Sequence, residues 1–420
     1  LLLVLAIPGA LIYFALRGLR ERRYLQRWGE RLGTTAPPQG PFDYLVHAAS
    51  LGEVNAAQPL VQALLARSAD SRILLTTVTP TGSQRATELF RERVAHCYLP
   101  LDLPRAMRRL LQTSRPGALV IIETEIWPNL YAAARERDLP LVIANARLSQ
   151  SSVDSYRRFR RLMAPALQGV SRILAQDERD VRRFLDCGAE PGHVERAGNL
   201  KFDIQLSPTL LETGELLRAG WGVQRPVLVA GSTHEDDERV LFAAFRRILE
   251  RHPQALLVLA PRHPARFARA AQDAEAAGLD VRRRSESRLP GAANCLVLDT
   301  MGELLTYYAA SDVAFVGGTI ADIGGHNLLE PAALGKPVLF GPHTSHVKET
   351  AIRLLETGAA RRVLTAEDVR REVDQLFRHP ATRDRMGQAG LRLVDQGRGA
   401  LARTLAVLDE VRPPAPAGKT

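Results

Sequence analysis

ALVIIETEIWPNLYAAARERDLPLVIA, residues 118–144, is the stretch whose reading decides the fold. An unbroken apolar run, Ala118–Ile122, ends in a polar turn. A helical pattern follows over 128–137, and a second apolar run, Leu141–Ala144, closes the unit. Strands that are apolar on both faces, joined by a helix of roughly 10–15 residues, are the mark of a βαβ crossover in a parallel sheet.

The same alternation extends outward in both directions. Upstream lie strands Tyr44–Ala48 and Ile73–Val78, with helical patterns over 54–67, 82–93 and 104–113. Downstream come a helix over 152–167 and a strand at Ile173–Ala175. Gly198–Gly222 breaks the rhythm. It then restarts with Val227–Ala230, Leu256–Ala260, Cys295–Leu298, Val313–Val316 and Val338–Phe340. A chain of 420 residues is too long for one core of ordinary size, so two α/β halves of roughly 200 residues each are expected. Both are doubly wound, Rossmann-like domains, over 20–205 and 206–412, joined near 203–222 and followed by a disordered tail at 413–420.

Residues 1–19 read as an N-terminal membrane anchor. Leu1–Leu16 carry no charge, and Arg17, Arg20, Arg22, Arg23 and Arg27 follow. The run is slightly short of the roughly 20 residues a span needs. Arginines on its C-terminal side are the reverse of a secretory signal and keep the following domain in the cytoplasm. A buried core helix is the alternative.

The composition is that of an ordinary folded protein, 45% apolar and 24% charged. A formal net charge of +10 favours anionic partners. Aromatic residues make up only 5%, with no interleaved base-stacking set, which argues against nucleic acid. Cys97, Cys187 and Cys295 have no metal-ligand spacing and read as reduced and mostly buried.

Ligands of doubly wound sheets bind at the carboxyl ends of strands, so the residues after each strand are the candidates. The first strand is followed by Ser50-Leu51-Gly52-Glu53. Glu53 opens a helix, where the dipole is expected to lower its pKa and keep it ionised as a general base; simple compensation of the dipole is the bland alternative. After Ala118–Ile122 come Glu123 and Glu125. Either carboxylate suits a developing positive charge at an anomeric carbon, or a cap for the helix after Pro128. Lys201, in Gly198-Asn199-Leu200-Lys201-Phe202-Asp203, is placed to neutralise a leaving phosphate or to make an interdomain salt bridge.

In the second half, Gly231-Ser232-Thr233-His234-Glu235 offers backbone N–H groups to a phosphate. Pro261-Arg262-His263-Pro264 brings a guanidinium to the same edge, unless it is only a surface Arg–His pair. Met301-Gly302-Glu303 and the glycine-rich run before Asn327-Leu328-Leu329-Glu330 complete the set. Asn327 and Glu330 have capping-box spacing, yet Glu330 equally suits ribose hydroxyls. No Asp-x-Asp occurs, and the adjacent Asp236-Asp237 reads as solvated. No metal or other cofactor is therefore expected, and cationic side chains are expected to meet the leaving group.

Ser50–Glu53, Glu123–Asn129, Asn145-Ala146-Arg147-Leu148-Ser149, Gly198–Lys201, Pro261–Pro264 and Gly325–Pro331, in this order, closely resemble the bacterial 3-deoxy-D-manno-octulosonic acid (Kdo) transferases. The resemblance spans nearly the whole chain; Leu328 stands where Pro is common. It implies a GT-B fold, two Rossmann-like domains facing across a cleft. It implies inverting, metal-independent transfer of Kdo from CMP-Kdo to the 6′-hydroxyl of the lipid A precursor (lipid IVA) in lipopolysaccharide biosynthesis, at the cytoplasmic face of the inner membrane. By that match Glu53 is the catalytic base, and Glu123 and Lys201 support the transition state. Pro261, Arg262, Met301, Gly302, Glu303, Asn327, Leu328, Leu329 and Glu330 hold CMP: Arg262 at the phosphate, Met301–Glu303 at the cytosine, Glu330 at the ribose. Arg157, Arg158, Arg160 and Arg161 face acceptor phosphates, anionic headgroups or merely solvent. The rivals are another GT-B lipid glycosyltransferase, a UDP-GlcNAc epimerase and a non-catalytic nucleotide-binding membrane scaffold.

Overall fold

The computed structural model describes residues 17, 18 and 22–412, except 69 and 205. Most of the expected anchor and all of the expected tail lie outside those residues. Among the described residues no helix is long and apolar enough to cross a membrane.

The chain folds as two compact α/β units. Among the described residues, one comprises the chain through Asp203 together with residues 397–412; the other is Ile204–Gln396. Each holds a seven-stranded, wholly parallel sheet. In the first, β1 (Phe42–His47), β2 (Ile73–Thr77), β3 (Ala95–Tyr98), β4 (Pro116–Ile122), β5 (Leu141–Ala146), β6 (Arg172–Ala175) and β7 (Val194–Arg196) lie in the order β3-β2-β1-β4-β5-β6-β7. The second carries β8 (Val227–Thr233), β9 (Leu256–Pro261), β10 (Val281–Arg283), β11 (Cys295–Val297), β12 (Val313–Val316), β13 (Val338–Phe340) and β14 (Ala360–Arg362), ordered β10-β11-β9-β8-β12-β13-β14.

Successive side chains of a strand point to opposite faces, and here both faces are covered. Leu45, Leu119, Ile121 and Ile143 fill one core of the first sheet, while Val46, Val120, Ile122 and Val142 fill the other. Leu228, Ala230, Leu257 and Leu259 oppose Val227, Val229, Leu256 and Val258 in the same way in the second unit. That is why the interior strands read as unbroken apolar runs. All three cysteines are free and buried.

Two expectations are corrected. The sequence pattern places 397–412 with the second half, but the helix Ala400–Val411 packs on the first unit, placing Ala400, Leu401, Val407 and Leu408 in the core with Val54, Leu64 and Leu65. Asp203 fixes the return: its two carboxylate oxygens accept from the backbone N–H groups of Gly399 and Leu401, each at 2.7 Å. The helix expected over 152–167 is two helices, Gln150–Arg158 and Arg160–Gln168, broken at Phe159, which is exposed.

Candidate functional site

At the carboxyl edge of the first sheet, β1 and β4 pair in parallel with Val46 opposite Val120 and His47 opposite Ile121. The segments leaving them therefore emerge side by side. Ser50 caps the helix Leu51–Arg67, its hydroxyl accepting from the Glu53 amide at 3.4 Å. Glu53 turns back over this cap: one oxygen accepts from the Ala49 N–H at 2.5 Å, the other from the Ser50 hydroxyl at 3.1 Å.

The charge state differs from the sequence expectation. Instead of being lowered by the helix end, the Glu53 pKa is raised to about 8, first by burial and then by Glu125 and Glu123, against the opposing hydrogen bonds from Ala49 and Ser50. Burial, reinforced by the two carboxylates that follow β4, outweighs the helix dipole, whose effect on one charge is only about 0.3–1 kcal/mol.

Glu123 is buried and takes a left-handed backbone, φ 63°, costly for a residue with a Cβ by about 1–3 kcal/mol. Its two oxygens have separate cations: Lys201 Nζ lies 3.0 Å from Oε1 and Arg147 Nε 2.9 Å from Oε2. The lysine's partner is thus within its own unit. Lys201 is placed by Asn145, itself left-handed at φ 56° and buried, whose Oδ1 accepts from the Leu200 N–H at 3.0 Å. Arg147 is fixed in turn by the Thr124 hydroxyl, which donates to its carbonyl. Arg147 sits just beyond β5, a strand-end position like that of Glu123 after β4.

Neither Glu123 nor Glu125 caps the helix Pro128–Arg135. That cap comes from Asp102, which accepts from the Asn129 and Leu130 amides, each at 3.0 Å.

At the carboxyl edge of the second sheet the charge is reversed. Arg262 leaves β9, its amide donating to Thr233 at 2.9 Å, and no carboxylate pairs with its guanidinium among the described residues. Around it stand imidazoles: His234 and His326 are stacked, 5.3 Å apart at 6°, with their Nε2 atoms 3.0 Å apart. His263 sits edge-on to His234 at 5.5 Å. Burial, with Arg262 and the other histidines nearby, lowers the His326 pKa to about 3. It is neutral at physiological pH, so its ring leaves Arg262 as the cation.

Glu330 receives the Asn327 amide at 3.2 Å, while Asn327 Oδ1 accepts from the Leu329 N–H at 3.1 Å. Burial raises the Glu330 pKa to about 7, opposed by Asn327 and by Arg262. Leu328 and Leu329 bury their side chains, so only their main chain is available to a ligand. Pro261 is likewise buried, ending β9. Glu303 is bridged by Arg284 at 2.8 Å and accepts from the Thr300 hydroxyl, whereas Met301 is 61% exposed and Gly302 adopts φ 88°.

Asp237, read as solvated, is completely buried. Its carboxylate accepts from the amides of His234 (2.9 Å), Gly318 (2.7 Å), Ile320 (2.9 Å) and Ala321 (3.1 Å). It thereby ties the start of the helix Glu235–Leu249 to the glycine loop after β12. In that loop a Cβ on Gly318 would stand 2.8 Å from the His326 ring, so the glycine is required for the imidazole to sit where it does.

Comparison with known proteins places these two edges in context. The family described as 3-deoxy-D-manno-octulosonic-acid transferase (kdotransferase) matches residues 26–204, almost the whole of the first unit's leading segment. The 3-deoxy-D-manno-octulosonic acid transferase of Haemophilus influenzae is 38% identical over 414 residues, covering 97% of this chain and 96% of its own. That of Bordetella pertussis is 40% identical over 394 residues, 90% of each chain. Among solved structures, Acinetobacter baumannii MurG superimposes with a TM-score of 0.55 at 14% identity, covering 88% of this chain and 100% of its own. UDP-GlcNAc 2-epimerase from Neisseria meningitidis gives 0.51 at 15%, covering 87% and 99%. Those two likenesses are of fold alone. Identity of this order along nearly the full length of both chains is a different matter: the protein belongs to the 3-deoxy-D-manno-octulosonic acid transferase family.

Proposed function

We propose that the chain is a glycosyltransferase that moves Kdo from CMP-Kdo to a hydroxyl of the lipid A precursor in lipopolysaccharide biosynthesis. The observation that carries the chemistry is the carboxyl edge of the first sheet, where half-buried Glu53 adjoins Glu123 and its two cations. Glu53 takes the proton of the acceptor hydroxyl as that oxygen bonds to the anomeric carbon of Kdo. The bond from that carbon to the CMP phosphate oxygen breaks on the opposite side, so the configuration inverts and CMP leaves with the bonding pair. The Glu123–Lys201–Arg147 group balances charge as it moves from sugar to phosphate.

CMP is assigned to the second unit: Arg262 at the phosphate, the main chain of 327–329 and the Glu330 carboxylate at the ribose, and the Met301–Glu303 turn at the cytosine. In this reading GT-B architecture brings donor and acceptor together, and no metal is required because side chains carry the positive charge. The apolar stretch of residues 1–16 and the arginines after it support tethering to the inner membrane with the catalytic units on the cytoplasmic side.

Glu53→Gln tests the assignment. The amide still accepts from Ala49 but takes no proton, so kcat should fall about 10²–10⁴-fold while CMP-Kdo binds as tightly as before. Full activity in the variant refutes the base. Loss of wild-type turnover on chelation of divalent cations refutes the metal-free reading. Because the ionised form is the active one and the pKa is about 8, wild-type kcat/KM should climb as pH rises through 8 and fall away below it.

A further inference from the structure

Gln176 has no part in the roles assigned so far, yet it stands at the joint that carries both cations of Glu123. The joint begins in β5. Ile143 pairs with Ile173 and Ala146 with Ala175, so β5 takes three steps where β6 takes two. The extra residue is a β-bulge, a device that re-aims side chains beside active sites. Asn145 lies in it, buried and left-handed. One residue more or less also reverses the faces of those that follow, so the bulge sets the side from which Arg147 leaves to meet Glu123.

Four amides close a circuit from this bulge to Lys201. The Asn145 carbonyl accepts from Gln176 Nε2 at 3.0 Å. The other end of the Gln176 side chain, Oε1, accepts from Asn199 Nδ2 at 2.9 Å. Asn199 caps the single turn Leu200–Phe202, its Oδ1 accepting from the Lys201 N–H at 3.0 Å, and Asn145 Oδ1 returns to the Leu200 N–H. Leu200 and Phe202 bury their side chains, which leaves Lys201 to reach Glu123. The arrangement is kept at a cost: Asn145 Nδ2 is buried with no partner among the described residues, a loss that folding alone would avoid.

We infer that Gln176 is a positioning residue for the reaction: by tying the bulged Asn145 to Asn199, it holds Lys201 on Glu123. The inference rests on the reading of Glu123 and Lys201 as the group that balances charge during transfer.

Glutamine suits the place because its amide donates at one end and accepts at the other, whereas the Asn145 carbonyl alone would need only a donor. Neighbouring anchors do not replace it. The Asn199 N–H reaches the Gly397 carbonyl at 3.4 Å, and Asp203 receives Gly399 and Leu401. These fix the chain on either side of the turn and leave the Leu200 and Lys201 amides to Asn145 and Asn199. Losing Gln176 therefore loosens the turn without releasing it.

The test reads Lys201 directly. The sequence holds four lysines, so ¹³C-lysine labelling of the intact protein gives few side-chain signals, and that of Lys201 is the one lost in Lys201→Ala. Its paired Hε protons are inequivalent while the ammonium is held and merge once it swings freely. Gln176→Met keeps the length of the side chain and removes both hydrogen bonds. The Lys201 protons should merge, and kcat should fall about tenfold to a hundredfold, as for a slightly misplaced catalytic group, with KM for CMP-Kdo unchanged. In a Lys201→Ala background the same substitution should have almost no further effect, because residues that act as a unit are not additive. Asn199→Ser keeps a cap for the turn but is too short for Gln176. It should move both readouts the same way by less, and it serves as the test if Gln176→Met does not fold. An unmoved Lys201 signal in the folded variants, or an equal loss of kcat in the Lys201→Ala background, overturns the inference. Lys201 protons that merge while kcat holds leave Gln176 its grip on the turn and refute Lys201 as part of the chemistry.

Discussion

The two units share a parallel seven-stranded architecture and differ in what the carboxyl edge of each sheet carries. On the first, three carboxylates gather: Glu53 with its proton held to about pH 8, Glu123 neutralised by Lys201 and Arg147, and Glu125 clamped by an indole. On the second, Arg262 stands beside His326, which burial keeps neutral, with one carboxylate, Glu330, nearby. Similar scaffolds have thus been given opposite electrostatics, one suited to handling a proton and the other to receiving an anion. The backbone records the division too. Glu123, Asn145 and Ser232 adopt left-handed conformations at the ends of β4, β5 and β8, and such strain persists only where the surroundings enforce it.

The comparison breaks most readily at Lys201. Lys201→Ala leaves Glu123 with Arg147 alone, and kcat should fall about 10²–10³-fold with donor affinity unchanged. An equal loss of CMP-Kdo binding would mean that the first edge also binds the nucleotide. Next in size is Asp237→Ala, which strips the shared acceptor from four backbone N–H groups. It should cost about 3 kcal/mol, seen as roughly 10 °C in the melting of the second unit, and the first unit's transition should not move.

Arg262→Ala probes the basic edge. It should weaken CMP-Kdo binding about tenfold to a hundredfold, as expected for hydrogen bonds to a charged group, with acceptor KM unaffected. The smallest effect belongs to Glu330. Its raised pKa of about 7 means that the carboxylate, the form able to accept two ribose hydroxyls, is present above pH 7 and lost below it. Donor affinity should therefore decline severalfold between pH 8 and pH 6, up to about tenfold per unit below the midpoint. Glu330→Gln should flatten that dependence.

How much of this could be read from the sequence follows from where each residue finds its partners. Interior strands such as Ala118–Ile122 and Leu256–Ala260 were legible because burial on both faces leaves an unbroken apolar run. The strands β3, β7, β10 and β14 were not. Each is an edge of its sheet, three or four residues long, and their partly exposed faces admit His96, Glu195, Arg282 and Arg361. The return of the last helix was illegible for a similar reason: an amphipathic helix carries no address, and Asp203, which receives it, lies nearly 200 residues earlier.

The candidate site divides the same way. Glu53, Glu123, Lys201, Arg262 and Glu330 were visible as polar residues following apolar strands. Their charge states were not. The helix dipole belongs to Glu53's own helix, whereas the shift comes first from burial by the folded surroundings and then from carboxylates that follow β4, some 70 residues on. Asp237 looked like a solvated helix start, since three of its four partners lie more than 80 residues away in the loop after β12. Arg147 follows β5 directly, so its place at the carboxyl edge was legible, while its pairing with Glu123, 24 residues earlier, was not.

The measurement that bears most directly on the account is the mass of the lipid product. Purified protein given the lipid A precursor should add Kdo when supplied with CMP-Kdo, and leave the lipid unchanged when supplied with UDP-GlcNAc. An unmodified lipid with CMP-Kdo, or a hexosamine added from the uridine nucleotide, would contradict it.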